Sequence, residues 1–265
     1  MDEKMRCRKG QVSLWVILAV VLVASIILFF LFSGVIEPEV TEPPSSELVN
    51  IKSYISRCTQ EIVEEAVGVM LPQGGFVFPK NSKLFDGTEI EYLCENIGFY
   101  TPCVNQHPVL IQEMEKEILN EIVPRIEDEC FGELDDYVYR VSDGNADVNV
   151  DEMLVAEVEL GEDRIFVRMN KTVEVTKREQ TKVYDKFNVV VINPAYNLGV
   201  IAAEITSQEA TYCYFENVGY SVLYPRYKID KYVMSDSTKI YTINDTRTDE
   251  FMRIAIKGCV IPPGG

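Results

Sequence analysis

The chain has 265 residues, 47% of them apolar, and carries 25 Lys and Arg against 42 Asp and Glu, a net charge of −17. That length allows a membrane anchor followed by one domain of about 220 residues or by two smaller ones. So acidic a surface repels phosphate backbones, which excludes nucleic acid as a partner.

The first ten residues run against this balance, with Lys4, Arg6, Arg8 and Lys9 against Asp2 and Glu3. Directly after them, residues 12–32 contain only Ser13 and Ser25 as polar side chains. Such a run reaches the roughly 20 residues that a helix needs to cross a bilayer core. A secretory h-region is shorter, roughly 7–15 residues, and ends at a small-x-small site, whereas Leu31-Phe32-Ser33 is a poor one. Residues 11–35 are therefore expected to form a retained transmembrane helix in contact with membrane lipid through residues 12–35. Glu37, Glu39, Glu42 and Glu47 follow it, so the positive-inside rule leaves residues 1–10 in the cytoplasm and the C-terminal domain outside the cell.

At the start of that helix, Lys9-Gly10-Gln11-Val12-Ser13 resembles the class III signal peptide of archaeal type IV pilin-like proteins; the resemblance covers about the first 35 residues. It implies a cytoplasmic leader of residues 1–10, cut by a membrane peptidase between Gly10 and Gln11. It also implies helices that bundle with those of other pilin-like subunits. The family commonly has Glu at the fifth position after the cut, where it helps to dock a subunit on the N-terminal amine of the next. This chain has Trp15 there, a residue suited to the membrane interface. A plain signal anchor with an incidental Gly-Gln is the alternative.

Residues 36–46, with Pro38, Pro43 and Pro44, cannot continue a helix and read as a stiff stalk. Ser45 or Ser46 then caps a helix over 47–70, whose apolar residues Leu48, Ile51, Ile55, Cys58, Ile62, Ala66 and Val69 recur at steps of three and four. Residues 76–78 and 88–93 read as a pair of strands around the Asp86-Gly87 turn. Pro108 opens a second helix with Ile111, Met114, Ile118, Ile122, Ile126 and Cys130 on one face, kinked at Pro124. From residue 137 the period becomes two: 137–141, 146–150, 154–160, 164–169, 172–175 and 183–192 read as strands with turns at Asp143-Gly144 and residues 161–163. Asn193-Pro194 caps a helix to about residue 208, and strands over 231–234, 239–243 and 251–256 close the chain. The order predicts an α+β ectodomain of helices packed on a mainly antiparallel sheet. It divides into a helical segment with a β-hairpin (47–130) and a β-rich segment with one helix (131–265), which can form one domain.

Of seven cysteines, Cys7 lies on the inner side. Cys58, Cys94, Cys103, Cys130, Cys213 and Cys259 face an oxidising exterior, an even number with no Cys-x-x-Cys among them, so three disulfides are expected rather than a metal site. The favoured pairings are Cys94 with Cys103, Cys58 with Cys130, and Cys213 with Cys259. Asn170-Lys171-Thr172 and Asn244-Asp245-Thr246 fit the N-glycosylation pattern. Asp143, Asn145 and Asp147 match the opening of a calcium loop, but Val148 and Leu154 stand where its Gly and Glu belong, and a strand with Val148 and Val150 inward and Asp147, Asn149 and Asp151 outward explains the spacing fully.

The single histidine, His107, sits near Cys103 and Asn105, the residue types of a thiol protease, and reads more simply as a loop residue beside a helix start. HExxH, Gly-x-Ser-x-Gly, Ser-x-x-Lys and a P-loop are missing, and nothing calls for a cofactor. Seven of the 14 tyrosines fall between residues 212 and 241, with Tyr224 and Tyr227 the candidates for a binding surface against the plainer reading of a β-rich core. Together these readings lead to an expectation: a single-pass, pilin-like envelope protein whose ectodomain serves adhesion or assembly with other envelope proteins. The alternative is an anchored extracellular hydrolase using paired carboxylates.

Overall fold

The computed structural model describes residues 20–23, 50–98, 100–151 and 153–258. The expected leader with Gly10 and Gln11, the stalk, and Cys259 lie outside the described residues. So does the expected transmembrane helix except residues 20–23, which are helical. No helix among the described residues is long and apolar enough to cross a membrane.

Helix α1 (Ile51–Met70) buries Ile51, Ile55, Thr59, Ile62, Val63, Ala66, Val67 and Met70 along one stripe. Its cap is Asn50, not Ser45 or Ser46: the Asn50 side chain accepts the N–H of Ser53 at 3.2 Å, three residues on, where a free first-turn amide needs an acceptor. The helix tightens through Leu71–Gln73 and ends at Gly74, whose φ is 86°. A Cβ on Gly74 would also press on the backbone of Glu91, its nitrogen at 3.2 Å, so both the turn and the close approach require glycine.

The first hairpin differs from the expected one. Asp86 and Gly87 both have positive φ, and the strands flank them directly as β1 (Ser82–Phe85) and β2 (Thr88–Glu95), with Phe85 opposite Thr88. A two-residue turn of this hand dictates immediate pairing, so residues 76–78 are too far back to join the ladder. The Cys94–Cys103 disulfide closes the following loop, and the short strand β3 (Val104–Asn105) pairs back on β2.

Helix α2 (Leu110–Arg125) runs through Pro124 and widens into a π-helical turn, Ile126–Phe131. Two residues beyond Pro124 the Ile126 N–H lies on both the Ile122 and Val123 carbonyls, where the π-helical turn begins. Cys130 in this turn is bonded to Cys58 of α1, 72 residues away. The expected strand over 137–141 is instead helix α3 (Leu134–Ser142): Leu134, Val138 and Ser142 are buried at helical spacing, which the alternating Tyr-Val-Tyr-Arg-Val masked.

Two sheets follow. In the second, β6 (Arg164–Lys177) carries β4 (Ala146–Val150) and β5 (Val155–Gly161) on one side and β7 (Gln180–Ile192) along the other, all antiparallel. The runs expected at 164–169 and 172–175 are one strand. Lys171 points inward with Ile165, Val167, Met169, Val173 and Val175, its amine on Glu127 at 2.6 Å and over the Phe131 ring. The first sheet has the order β1-β2-β10-β9-β8, from β8 (Tyr227–Val233), β9 (Thr238–Asp245) and β10 (Phe251–Lys257). Its β10–β2 pair is parallel.

Helix α4 (Ala195–Tyr212) packs against strands of both sheets and against α2, where a Cβ on Gly199 would meet Ile111 and Met114 at under 3 Å. A short helix α5 (Asn217–Leu223) lies between the helix expected to end near residue 208 and the strand expected over 231–234. One buried cluster joins α1, α2, α4 and both sheets, so the helical and β-rich segments share a core. The fold is α+β with mainly antiparallel pairing.

Removing the tie between α1 and the π-helical turn by Cys58→Ala with Cys130→Ala should cost about 4 kcal/mol, the loop-closure value for a link of this length. Urea unfolding of the double variant measures it; a loss below about 1 kcal/mol would show that the link constrains little.

Candidate interaction surface

The C-terminal end of α4 is where buried charge and exposed apolar surface meet. Cys213 takes a left-handed conformation, φ 58°, and its N–H closes on Glu209 at 3.0 Å. Glu209 is fully buried and does not stand alone: Lys239 of β9 pairs with it at 2.5 Å, and the Tyr241 hydroxyl donates to it. Burial, and then that carboxylate, push the Tyr241 phenol well above its ordinary range, so it stays a neutral donor. Lys239 also donates to the Cys213 carbonyl at 2.7 Å. The chain at residues 213–215 is thereby pinned, with Phe215 buried edge-on against Tyr241.

A second charged joint holds the far end. Arg226 bridges Asp163, in the β5–β6 turn of one sheet, and Asp245, at the end of β9 in the other. The guanidinium beside it holds the Asp163 carboxyl below its ordinary range. Asn197 of α4 donates to Asp163 at 3.2 Å and to the Tyr227 hydroxyl at 3.0 Å, while Arg226 covers the Tyr227 ring at 5.1 Å.

Between the two joints, α5 closes the edge of β8. Its Asn217 amide donates to the Ile229 carbonyl at 2.9 Å, and the Ser221 hydroxyl accepts the Ile229 N–H at 3.1 Å. Asn217 and Ser221 are thus turned onto the sheet and Tyr220 packs on Phe215, while Val218, Val222 and Leu223 face out. No residue of α5 is buried; Val222 and Leu223 are each 75% exposed and Val218 66%. Tyr212, Tyr214 and Tyr224 on the flanking segments are exposed as well. Lys231 stands over the Tyr214 ring at 4.7 Å and supplies a cation beside it. Scattered exposed apolar residues are ordinary, but six large ones within residues 212–224, around a helix that buries none, form a ledge of the kind that marks an interaction site.

The structure separates the sequence candidates. Tyr224 lies on the ledge, its ring tilted against that of Tyr220 at 4.7 Å, whereas Tyr227 is half-buried and engaged by Arg226 and Asn197. Asn170 is exposed on β6; the Asn244 amide is half-buried and donates to Lys228 at 3.2 Å. The calcium candidates have other uses: Asp143 caps α3, the Asn145 amide donates to the Ser142 and Asp143 carbonyls, and Asp147 faces out from β4 with Val148 half-buried. Cys103 is bonded to Cys94, so it is no nucleophile for His107, which sits between Glu113 at 2.6 Å and Glu91 at 3.5 Å with Phe76 against its ring. Cys213 is disulfide-bonded, and its expected partner Cys259 lies outside the described residues.

The buried carboxylates are already engaged. Glu91 accepts the Lys80 and Asn81 amides, and Glu209 and Asp245 are each held by a cation. Among the described residues Glu250 is the carboxyl pushed above its ordinary range, first by burial and then by the Glu64 charge.

Sequence reasoning missed both charged joints and α5. The steps Val218–Val222 and Tyr220–Tyr224 were the available signal for the helix. No family model, curated protein or solved structure matches the chain.

The ledge carries none of the fold. Val222→Asp with Leu223→Asp should therefore leave urea stability within about 0.5 kcal/mol, while Phe215→Ala beneath it should cost about 3–5 kcal/mol. Equal losses would place α5 in the core.

Proposed function

We propose that this chain is a single-pass envelope protein, pilin-like at its N-terminus, whose ectodomain stands outside the cell and binds a protein partner through the ledge around α5. The observation that carries this reading is the run of exposed apolar and aromatic side chains at residues 212–224, set on a rigid, disulfide-tied core. Rigid aromatic side chains lose little entropy on contact, which suits such a surface for adhesion or for assembly with other envelope proteins or pilin-like subunits. Membrane lipid is contacted through residues 12–35.

The exterior placement fits the disulfides Cys58–Cys130 and Cys94–Cys103. Cys213 pairs with Cys259 in this reading, since the preceding residue, Gly258, borders Glu209 and Lys239, and Lys239 holds the Cys213 carbonyl. Asn170, exposed on β6, is the better glycan acceptor; Asn244 would first have to release Lys228.

A cysteine placed at the ledge by Val222→Cys should react with a membrane-impermeant maleimide on intact cells. Labelling only after lysis would overturn the topology. In the same preparation, a mature N-terminus at Gln11 is expected, and an intact Met1 would remove the pilin-type processing.

A further inference from the structure

Strand β7 is 13 residues long and pairs with β6 on one side; among the described residues no strand pairs with its other side. An edge this long is a template for another strand. Its own pattern says which one. Inward residues are buried at Phe187, Val189 and Val191, and again at Tyr184, but Asp185 and Lys186 between them are both exposed. The alternation therefore slips by one residue at the centre of the strand, where the β6–β7 register shifts between Asn170 and Val173. A regular incoming strand matches one half of β7 and has its side chains on the wrong face along the other.

We propose that the edge of β7 pairs antiparallel with the β7 edge of a second copy of this chain, across a two-fold axis at the Asp185–Lys186 bond. Only a strand carrying the same slip at the same point keeps phase on both sides. In this register Tyr184 meets Phe187 of the second copy, both on the inward face, and Val183 meets Asn188, both exposed. At the axis, Asp185 of each copy faces Lys186 of the other, so two opposite-charge pairs form; the shifted register that sets Asp185 against Lys182 instead brings buried Tyr184 opposite exposed Val183 and loses phase. On the outer face the pairing extends a surface already apolar at Val190 and Ile192, which is 70% exposed. This inference stands on the strand edge alone and does not depend on the ledge or on the membrane topology.

Sedimentation of the full-length chain in detergent tests it. The native chain should dimerise, and Asp185→Lys or Lys186→Asp alone, which sets like charges opposite each other twice, should weaken the dimer roughly tenfold or more. The double reversal Asp185→Lys with Lys186→Asp re-forms both pairs and should restore it. A monomer at every concentration, or a dimer indifferent to the single reversals as one held by the anchors would be, overturns the proposal. A double variant as weak as the singles does so too. As a second readout, a Val183→Cys chain mixed with an Asn188→Cys chain should form a disulfide-linked heterodimer, and no cross-link would contradict the register.

Discussion

A covalent bond between α1 and the π-helical turn after α2 is the constraint on which the domain depends. Helix α1 lies against β7, α2 and the turn itself, and its buried stripe supplies much of the shared core. The chain carries a net −17, and like charges repel across any compact arrangement of it. A link closing 72 residues removes much of the unfolded chain's freedom, and so offsets that repulsion without adding buried surface. The π-helical turn places Cys130 for it, and Pro124 precedes that turn where a regular helix would lack one amide donor.

Charge pairs do the complementary work on either side of α5, with the Glu209 and Asp245 carboxylates buried. Glu209 with Lys239 and Tyr241, and Arg226 with Asp163 and Asp245, are ion pairs whose members come from different elements. Such pairs contribute little net stability once desolvation is counted, but losing one partner leaves an uncompensated charge, so they fix geometry sharply. What they fix is the segment from Cys213 to Arg226, which can then carry apolar side chains outward without support from the core. The exposed ledge follows from the anchoring on either side of it.

The sequence made most of the secondary structure legible wherever burial is one-sided. The stripe of α1 and the alternation of β6 and β10 follow directly from the side chains, and the disulfides Cys58–Cys130 and Cys94–Cys103 are pairs favoured from the places of their cysteines on the predicted helices and loop. It misled where two periods coincide. Residues 137–141 alternate like a strand, yet Leu134, Val138 and Ser142 give the helix its buried face. Lys171 was hidden because a charge at an inward strand position reads as a break, whereas Glu127, distant in sequence, receives it. The candidate surface was half legible: the tyrosine cluster is visible in the sequence, but which rings face out is decided by Asn217 and Ser221 turning α5 onto the Ile229 backbone. Nothing local in the chain announces that contact.

The covalent frame of the domain is read out by a mass map of a non-reduced digest of the native protein. The predicted result is three bridged peptides, Cys58 with Cys130, Cys94 with Cys103 and Cys213 with Cys259. Free thiols at these positions, or Cys58 joined to any partner other than Cys130, would contradict it.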